Sequence, residues 1–399
     1  MKKMWLLVVL VLCLALPCLA GAASETFTSG AYEYKVLNDG TAQITGYSSS
    51  FKKEVEIPAV LGEYKVTSIG YQAFKNAKIN TIIVPEGITS IGTDAFYGCT
   101  KLTSISLPDS LTKISGNPFV ECYKLNNILV SPDHQVFAII DGVLFEKASK
   151  KLIACPNEKK GIYEIPQGIQ CIGEKAFSHC TSINKIVIPD TVTTICSDAF
   201  NFCIKLTDIN IPAGIKAIES YAFSDCCELT GITIPDSVTT IAYSAFSGCF
   251  GLPSIHIPSS VTTIAYSAFM GSGLTDIIIP DSVTVIESRT FSYCRKLVSV
   301  TIPDSVTSIG DSAFETCESL TSITIPENVI SIGRRTFYNC SSLTSVTLPG
   351  SVTFIDVDAF ANCGKLTTIT VPRDSYAVQY CKDNNLPYTY ADANDWLLN

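Results

Sequence analysis

Residues 297–342 read LVSVTIPDSVTSIGDSAFETCES and then LTSITIPENVISIGRRTFYNCSS, two copies of one 23-residue sentence. Its skeleton, LxxIxIPxxVTxIxxxAFxxCxx, repeats at a period that belongs to stacked supersecondary units rather than to a globule. The phenylalanine gives the register: Phe74, Phe96, Phe119, Phe177, Phe200, Phe223, Phe246, Phe269, Phe291, Phe314, Phe337 and Phe360, spaced 22 or 23 apart except for one gap of 58. Twelve coils follow from that count. Leu297, Val300 and Ile302 put apolar, largely β-branched side chains near period two, which predicts a short strand with one face buried. Pro303 then stops the strand and Asp304 suits the corner. Val306 and Ile309 predict a second, shorter inward-facing strand, and the Ala-Phe pair fills the core on the return.

These coils resemble the BspA-like class of leucine-rich repeats over roughly residues 55–390. The resemblance implies a β-rich solenoid with a parallel ladder and little helix. It also implies a bacterial surface or secreted protein, since several members of the class are regarded as adhesins.

Outside the coils, Lys2 and Lys3 precede an apolar run from Met4 to Leu16, Pro17 breaks it, and Ala20, Gly21 and Ala22 supply small residues for cleavage. A signal peptide over 1–22 and a mature start at Ala23 are expected. An acylated Cys18 is the lesser alternative, because Ala15, Leu16 and Pro17 fit a lipobox poorly. No second apolar run reaches the ~18 residues of a membrane span, and the C-terminus carries no LPxTG-like sorting sequence.

Residues 23–57 are expected to form an N-terminal β cap, with Tyr32–Val36 and Ala42–Ile44 flanking a turn at Asn38, Asp39 and Gly40. An open solenoid end exposes a ladder edge and needs such a cover. Coils occupy 58–127, the period fails over 128–161, and coils resume over 162–373. In the gap, VFAIIDGVLFEKASKKLIACP predicts an inserted β-hairpin that keeps the sheet going, similar to an insertion in the BspA-like class. Residues 374–399 form a C-terminal cap and tail, with a short helix over Ser375–Asn384 and Trp396 able to fold back.

Composition is 47% hydrophobic and 16% charged, with a formal charge of −9. Removing Lys2 and Lys3 leaves 26 basic against 37 acidic side chains, or −11 for the mature chain. No basic stripe is visible, so nucleic acid is a poor partner.

Ten cysteines stand three residues after the phenylalanine, from Cys99 to Cys363, and Ala77 and Ser272 replace them elsewhere. Stacked coils bring such residues about 4.8 Å apart with parallel Cβ vectors, whereas a disulfide wants convergence, so buried packing thiols are expected. A line of ligands does not converge on a metal. His134, His179 and His256 fall in different coils, which gives no base for a catalytic triad. The corner acids Asp109, Asp190, Asp236, Asp281 and Asp304 alternate with Gln167, Ala213, Ser259 and Gly350, a turn pattern rather than a calcium site. No cofactor is implied.

What remains is surface. The residue between the last two apolar strand positions points outward, and this column includes Thr233, His256, Ile278, Thr301, Thr324, Thr347 and Thr370. Thr233, His256 and Ile278 break the threonine run that starts at Thr301, which makes these four the candidate binding residues, alongside Tyr243 and Tyr266 from the same coils. A threonine column is also what any exposed sheet favours, and the tyrosines can equally be lids over the core. The preferred function is a secreted or surface scaffold, without catalysis, binding an extracellular protein or surface polymer. The alternative is a glycan-binding or glycan-degrading protein, which would want paired carboxylates and aromatics in one groove. Glu164 is the lone acid of the outward column.

Overall fold

The computed structural model describes residues 25–392 other than Ser49. The expected signal segment and Trp396 lie outside them. The chain is a solenoid in which each coil contributes three edges to the stack, and each edge has a sequence cause.

The first edge is the strand before the proline. Lys52–Glu56, Ile79–Ile83, Ser104–Ser106 and Asn127–Leu129 pair in parallel, and further parallel sets run through Gly161–Glu164, Asp276–Ile278 and Ser322–Thr324. The second edge is a two-residue strand such as Ser308–Ile309, paired with Val285–Ile286 and Ser331–Ile332 in strict register. Its inward residue is buried in every coil while its neighbour, apart from the buried Ser68 of the first coil, is at least partly exposed.

The third edge carries the phenylalanine, and its regularity was not anticipated from composition. In all twelve coils the residue two after the phenylalanine is left-handed, from Asn76 (φ 58°) to Asn362 (φ 63°). This kink turns N–H groups along the stack. Phe177 and His179 donate to Ala199 and Asn201 at 2.8 and 2.9 Å, and Phe314 and Thr316 repeat the pattern on Thr336 and Tyr338. Asn and Gly fit this position at small cost, while Phe202, Tyr293 and the β-branched Thr316 hold it against their own preference.

The core is a column of phenyl rings. From Phe177 to Phe360 nine rings follow one another with centroids 5.2–5.6 Å apart and planes within 21°. Phe74, Phe96 and Phe119 form a separate short column.

Between the columns lies the insertion. It is a three-stranded antiparallel meander, Phe137–Ile140, Val143–Glu146 and Lys151–Ala154, rather than the single hairpin expected. Its last strand pairs in parallel with Cys171–Ile172, so it serves as the first rung of the second array. The sheet that ended at Lys113–Ile114 is not extended; a new one begins. The third strand forms because Leu152 and Ile153 are apolar and the turn at Ser149–Lys150 returns them to the core.

At the ends, Thr26–Ser29, Tyr32–Val36 and Ala42–Tyr47 form an antiparallel cap that passes into the parallel ladder at Tyr64–Ile69. The only helix among the described residues, Tyr376–Asp383, lays the Tyr380 ring on Phe360 at 6.2 Å. Ser375 is its N-cap by backbone, but its hydroxyl donates to the Pro372 carbonyl instead of accepting from the helix. Tyr388–Tyr390 then adds a strand to Thr368–Val371, a cover the alternating YTY could have signalled.

Candidate functional site

The surface is positioned by side chains that bond along the stack. Nine ladder thiols each donate to the phenylalanine carbonyl of the preceding coil at 3.0–3.3 Å, as Cys317 does to Phe291. Cys180 has no phenylalanine coil before it and reaches Cys155 O at 3.7 Å. Burial pushes Cys122, Cys203, Cys226, Cys249 and Cys317 up, and Cys294 to about 11, which keeps them protonated as donors, while the hydrogen bond with Cys340 pulls Cys363 down. Corner hydroxyls do the same: Thr191, Ser260, Ser305 and Ser351 donate to the preceding coil's Ile169, Val238, Val283 and Val329 carbonyls at 2.7 Å. The recurring Ser or Thr directly after the corner position, two after the proline, was the signal. Packing explains the cysteine position only in part; direction of donation completes it.

On this frame the outward column stands where expected. Thr233, His256, Ile278 and Thr301 are exposed on successive coils, Ile278 at 69%. The strand beneath them is not continuous, however. Neither 231–234 nor 254–257 is a strand, and the ladder lapses between Asp208–Ile209 and Asp276–Ile278. Sequence supplies three reasons. Pro253 has no N–H to give where Thr207, Thr230 and Thr275 have one. Gly231 leaves the strand without a packed side chain. Asn210 replaces a backbone bond with its own amide, accepting from Ile188 N at 2.8 Å and donating to Ile188 O at 2.7 Å. The result is a cleft of about 680 Å³ between 207–211 and 230–233.

Tyr243 and Tyr266 lie beyond the second strand, on a different side of the coil from Thr233. Their rings stack at 5.4 Å with planes 4° apart. Tyr221 meets Tyr243 edge-on at 5.0 Å, and Arg289 sits 5.8 Å from the Tyr266 centroid. Hydrogen bonding with Tyr243 and some burial push the Tyr221 phenol up to about 12. The four residues form one stripe across four coils, which the sequence reading found only at its two middle members.

The chemistry-bearing residues are dispersed. His134 is buried and bonds Pro108 O and the amides of Val136 and Phe137. His179 stacks on Phe202 and lies 3.4 Å from Glu121, and its pKa is lowered by burial against the opposing pull of that carboxylate. The corner acids act locally: Glu86 accepts from the Asp109 and Ser110 amides of the next coil. Cys171 and Cys196, half-buried on adjacent coils, face each other at 3.8 Å; the shared hydrogen bond pulls Cys196 down to about 7 and Cys171 upward. Among the described residues no group of three or more His, Cys, Asp or Glu could hold a metal ion. No helix among them is long and apolar enough to cross a membrane.

A family model for a BspA type leucine rich repeat region of six copies matches residues 43–164, 155–275 and 262–384. Among solved structures, a leucine rich cell surface protein from Faecalibacterium prausnitzii A2-165 is 27% identical, with 95% of this chain and 98% of that one covered and a TM-score of 0.50. A leucine-rich repeat protein from Eubacterium ventriosum ATCC 27560 is 20% identical over 86% and 95% at a TM-score of 0.52, a likeness of fold alone. One from Bacteroides ovatus ATCC 8483 is 26% identical over 91% and 99%, at 0.46. No curated protein matches the chain.

Proposed function

The chain belongs to the BspA-type leucine-rich repeat family, and from that premise we propose that it is a cell-surface or secreted scaffold that binds an extracellular protein or surface polymer without catalysing a reaction. One observation carries this reading. Departures from the repeat gather in the coils between Phe202 and Thr301, where the ladder lapses and Ile278, Phe250, Tyr243 and Tyr293 are all exposed. C-terminal to these coils, from Thr301 to Thr370, the outward column settles into threonine, as an undifferentiated sheet surface would. Exposed apolar and aromatic groups on rigid elements are the usual anchors of recognition.

Thr233, His256, Ile278 and Thr301 are the proposed contact column, with Tyr243 and Tyr266 as a second surface of the same coils. The histidines support a role without catalysis: the one side-chain hydroxyl that meets a histidine among the described residues, Ser178 against His179 Nδ1 at 3.0 Å, is itself buried. The test is binding of the parent, His256→Glu and Thr370→Glu chains to a panel of matrix proteins and glycans. His256→Glu should weaken capture because it places a charge on a neutral face, while Thr370→Glu should leave it unchanged. Equal capture by all three would remove this column. Export is tested separately: the N-terminal sequence of protein recovered from outside the cell should start at Ala23.

A further inference from the structure

Three residues beyond Phe269 the coil is one residue short. Its neighbour reads Phe246-Ser-Gly-Cys-Phe250-Gly-Leu252, and this coil reads Phe269-Met-Gly-Ser-Gly-Leu274. The missing position is that of Phe250, and Arg295 holds it in the following coil. The stack continues past the deletion, with the phenyl column stepping 5.5 and 5.6 Å through Phe269, so the loss is taken entirely at the surface. A notch of about 560 Å³ opens there, within the size range of small-ligand sites.

The floor is glycine backbone. A Cβ on Gly273 would lie 2.1 Å from the Phe250 carbonyl oxygen, so no side chain can rise from it. Gly271 is left-handed (φ +68°) and is anchored by donating to Ser292 O at 2.8 Å. The walls are two large rings, Phe250 at 57% and Tyr293 at 45% exposed. Every phenylalanine of the core column, and the Tyr243–Tyr266 pair, is stacked on another ring. No ring contact is made by Phe250 or Tyr293 among the described residues.

The rim is basic in a chain of net charge −9: Arg295 and Lys296 stand together, with Asp225 across the notch. Arg295 reaches Glu318 only at 3.5 Å on the surface, a weak pair that a better anion can displace. Lys296 has no ion pair among the described residues.

We propose that this notch binds a six-membered sugar ring carrying a carboxylate, as in an acidic surface polysaccharide. The apolar face of such a ring lies against Phe250 and Tyr293, the glycine floor lets it approach the backbone, and its carboxylate pairs with Arg295 and Lys296. Aromatic walls alone would serve a neutral sugar, and the two cations alone any anion; their conjunction selects the acidic ring. The proposal rests on the scaffold reading and names one ligand class for it.

The probes are oligogalacturonate, a neutral gluco-oligosaccharide of equal length and poly-glutamate, titrated calorimetrically into the full chain. Oligogalacturonate should bind tightest, and Phe250→Ala, the Arg295→Gln/Lys296→Gln double variant and Gly271→Asn should each weaken it roughly tenfold or more. Asparagine tolerates the left-handed backbone, so Gly271→Asn fills the notch without unfolding the coil; a melting curve checks all three. Poly-glutamate binding as well as oligogalacturonate, with the same sensitivity, would make this a site for acidic peptides and overturn the proposal. Equal binding of the neutral sugar, or no loss in Phe250→Ala, would also overturn it. If the notch variants keep full capture on the matrix and glycan panel, the scaffold reading stands and this site alone falls.

Discussion

The phenyl column from Phe177 to Phe360 and the junction that precedes it solve the same stacking problem by different means. In the column, nine identical rings bury one another and the coils need no specific pairing beyond repetition. At the junction the phenylalanine register is broken by 58 residues, and the coil of Phe119 must still find the coil of Phe177. Polar contacts do this. Lys175 Nζ lies 2.7 Å from Asp94 Oδ2, whose side chain is 3% exposed; Asn117 donates to Lys175 O at 2.8 Å; and His179 sits 3.4 Å from Glu121, which accepts from the Tyr97 hydroxyl at 2.5 Å. The hydrophobic core divides here into two clusters. Equivalent residues stack without instruction, whereas non-equivalent coils need contacts that fit only one partner.

The largest way to break this contrast is inside the column. Phe337→Ala removes a ring held face to face between Phe314 and Phe360 and should cost about 4 kcal/mol. Because each coil contacts mainly its neighbours, hydrogen exchange should rise first from Phe337 toward the C-terminal helix while the N-terminal cap stays protected. Uniform loss of protection would mean that the stack is one cooperative block.

Lys175→Ala attacks the junction instead. It strands the buried Asp94 carboxylate and should cost about 2–3 kcal/mol, less than a full buried pair because Lys175 is 24% exposed. Its signature is separation: denaturant unfolding should split into two transitions, one for each core cluster. Burial pulls the Lys175 pKa down, but the hydrogen bond and charge of Asp94 prevail and raise it. The stability this pair adds is therefore fully present below the usual lysine range and lost only as pH rises through the elevated value.

A smaller, opposite effect is expected on the phenylalanine edge of the column. Thr316 is β-branched and left-handed (φ 59°), so Thr316→Gly should stabilise by up to about 1 kcal/mol, read as a higher melting temperature. A lower melting temperature would mean that the threonine side chain adds more than its backbone costs.

The smallest effect concerns acid. With its pKa lowered by burial, His179 contributes stability that is present above the ordinary histidine value near 6.5 and lost as pH falls through the depressed one. His179→Asn keeps a residue that accepts φ 61° and should lose less stability than the parent between pH 7.5 and 5. Equal losses would remove His179 from the acid response.

Much of this was legible in the chain itself. The period, the buried Leu, Ile and Phe positions, the proline corner and the two inward strands follow from residue types recurring at fixed spacing, because each coil meets a copy of itself and the pattern is its own contact map. The exposure of Thr233, His256, Ile278 and Thr301 followed from strand alternation alone. Tertiary structure decided whatever depends on which coil lies alongside. The direction in which thiols and hydroxyls donate, the left-handed edge and the lapse of the ladder under Thr233 and His256 are set by neighbours 22 to 26 residues away. The Asp94–Lys175 pair joins residues 81 apart, and the notch at Gly271 exists because a residue missing from one coil is read against the two that flank it. Spacing along a chain fixes what a coil presents; only stacking fixes what each presented group meets.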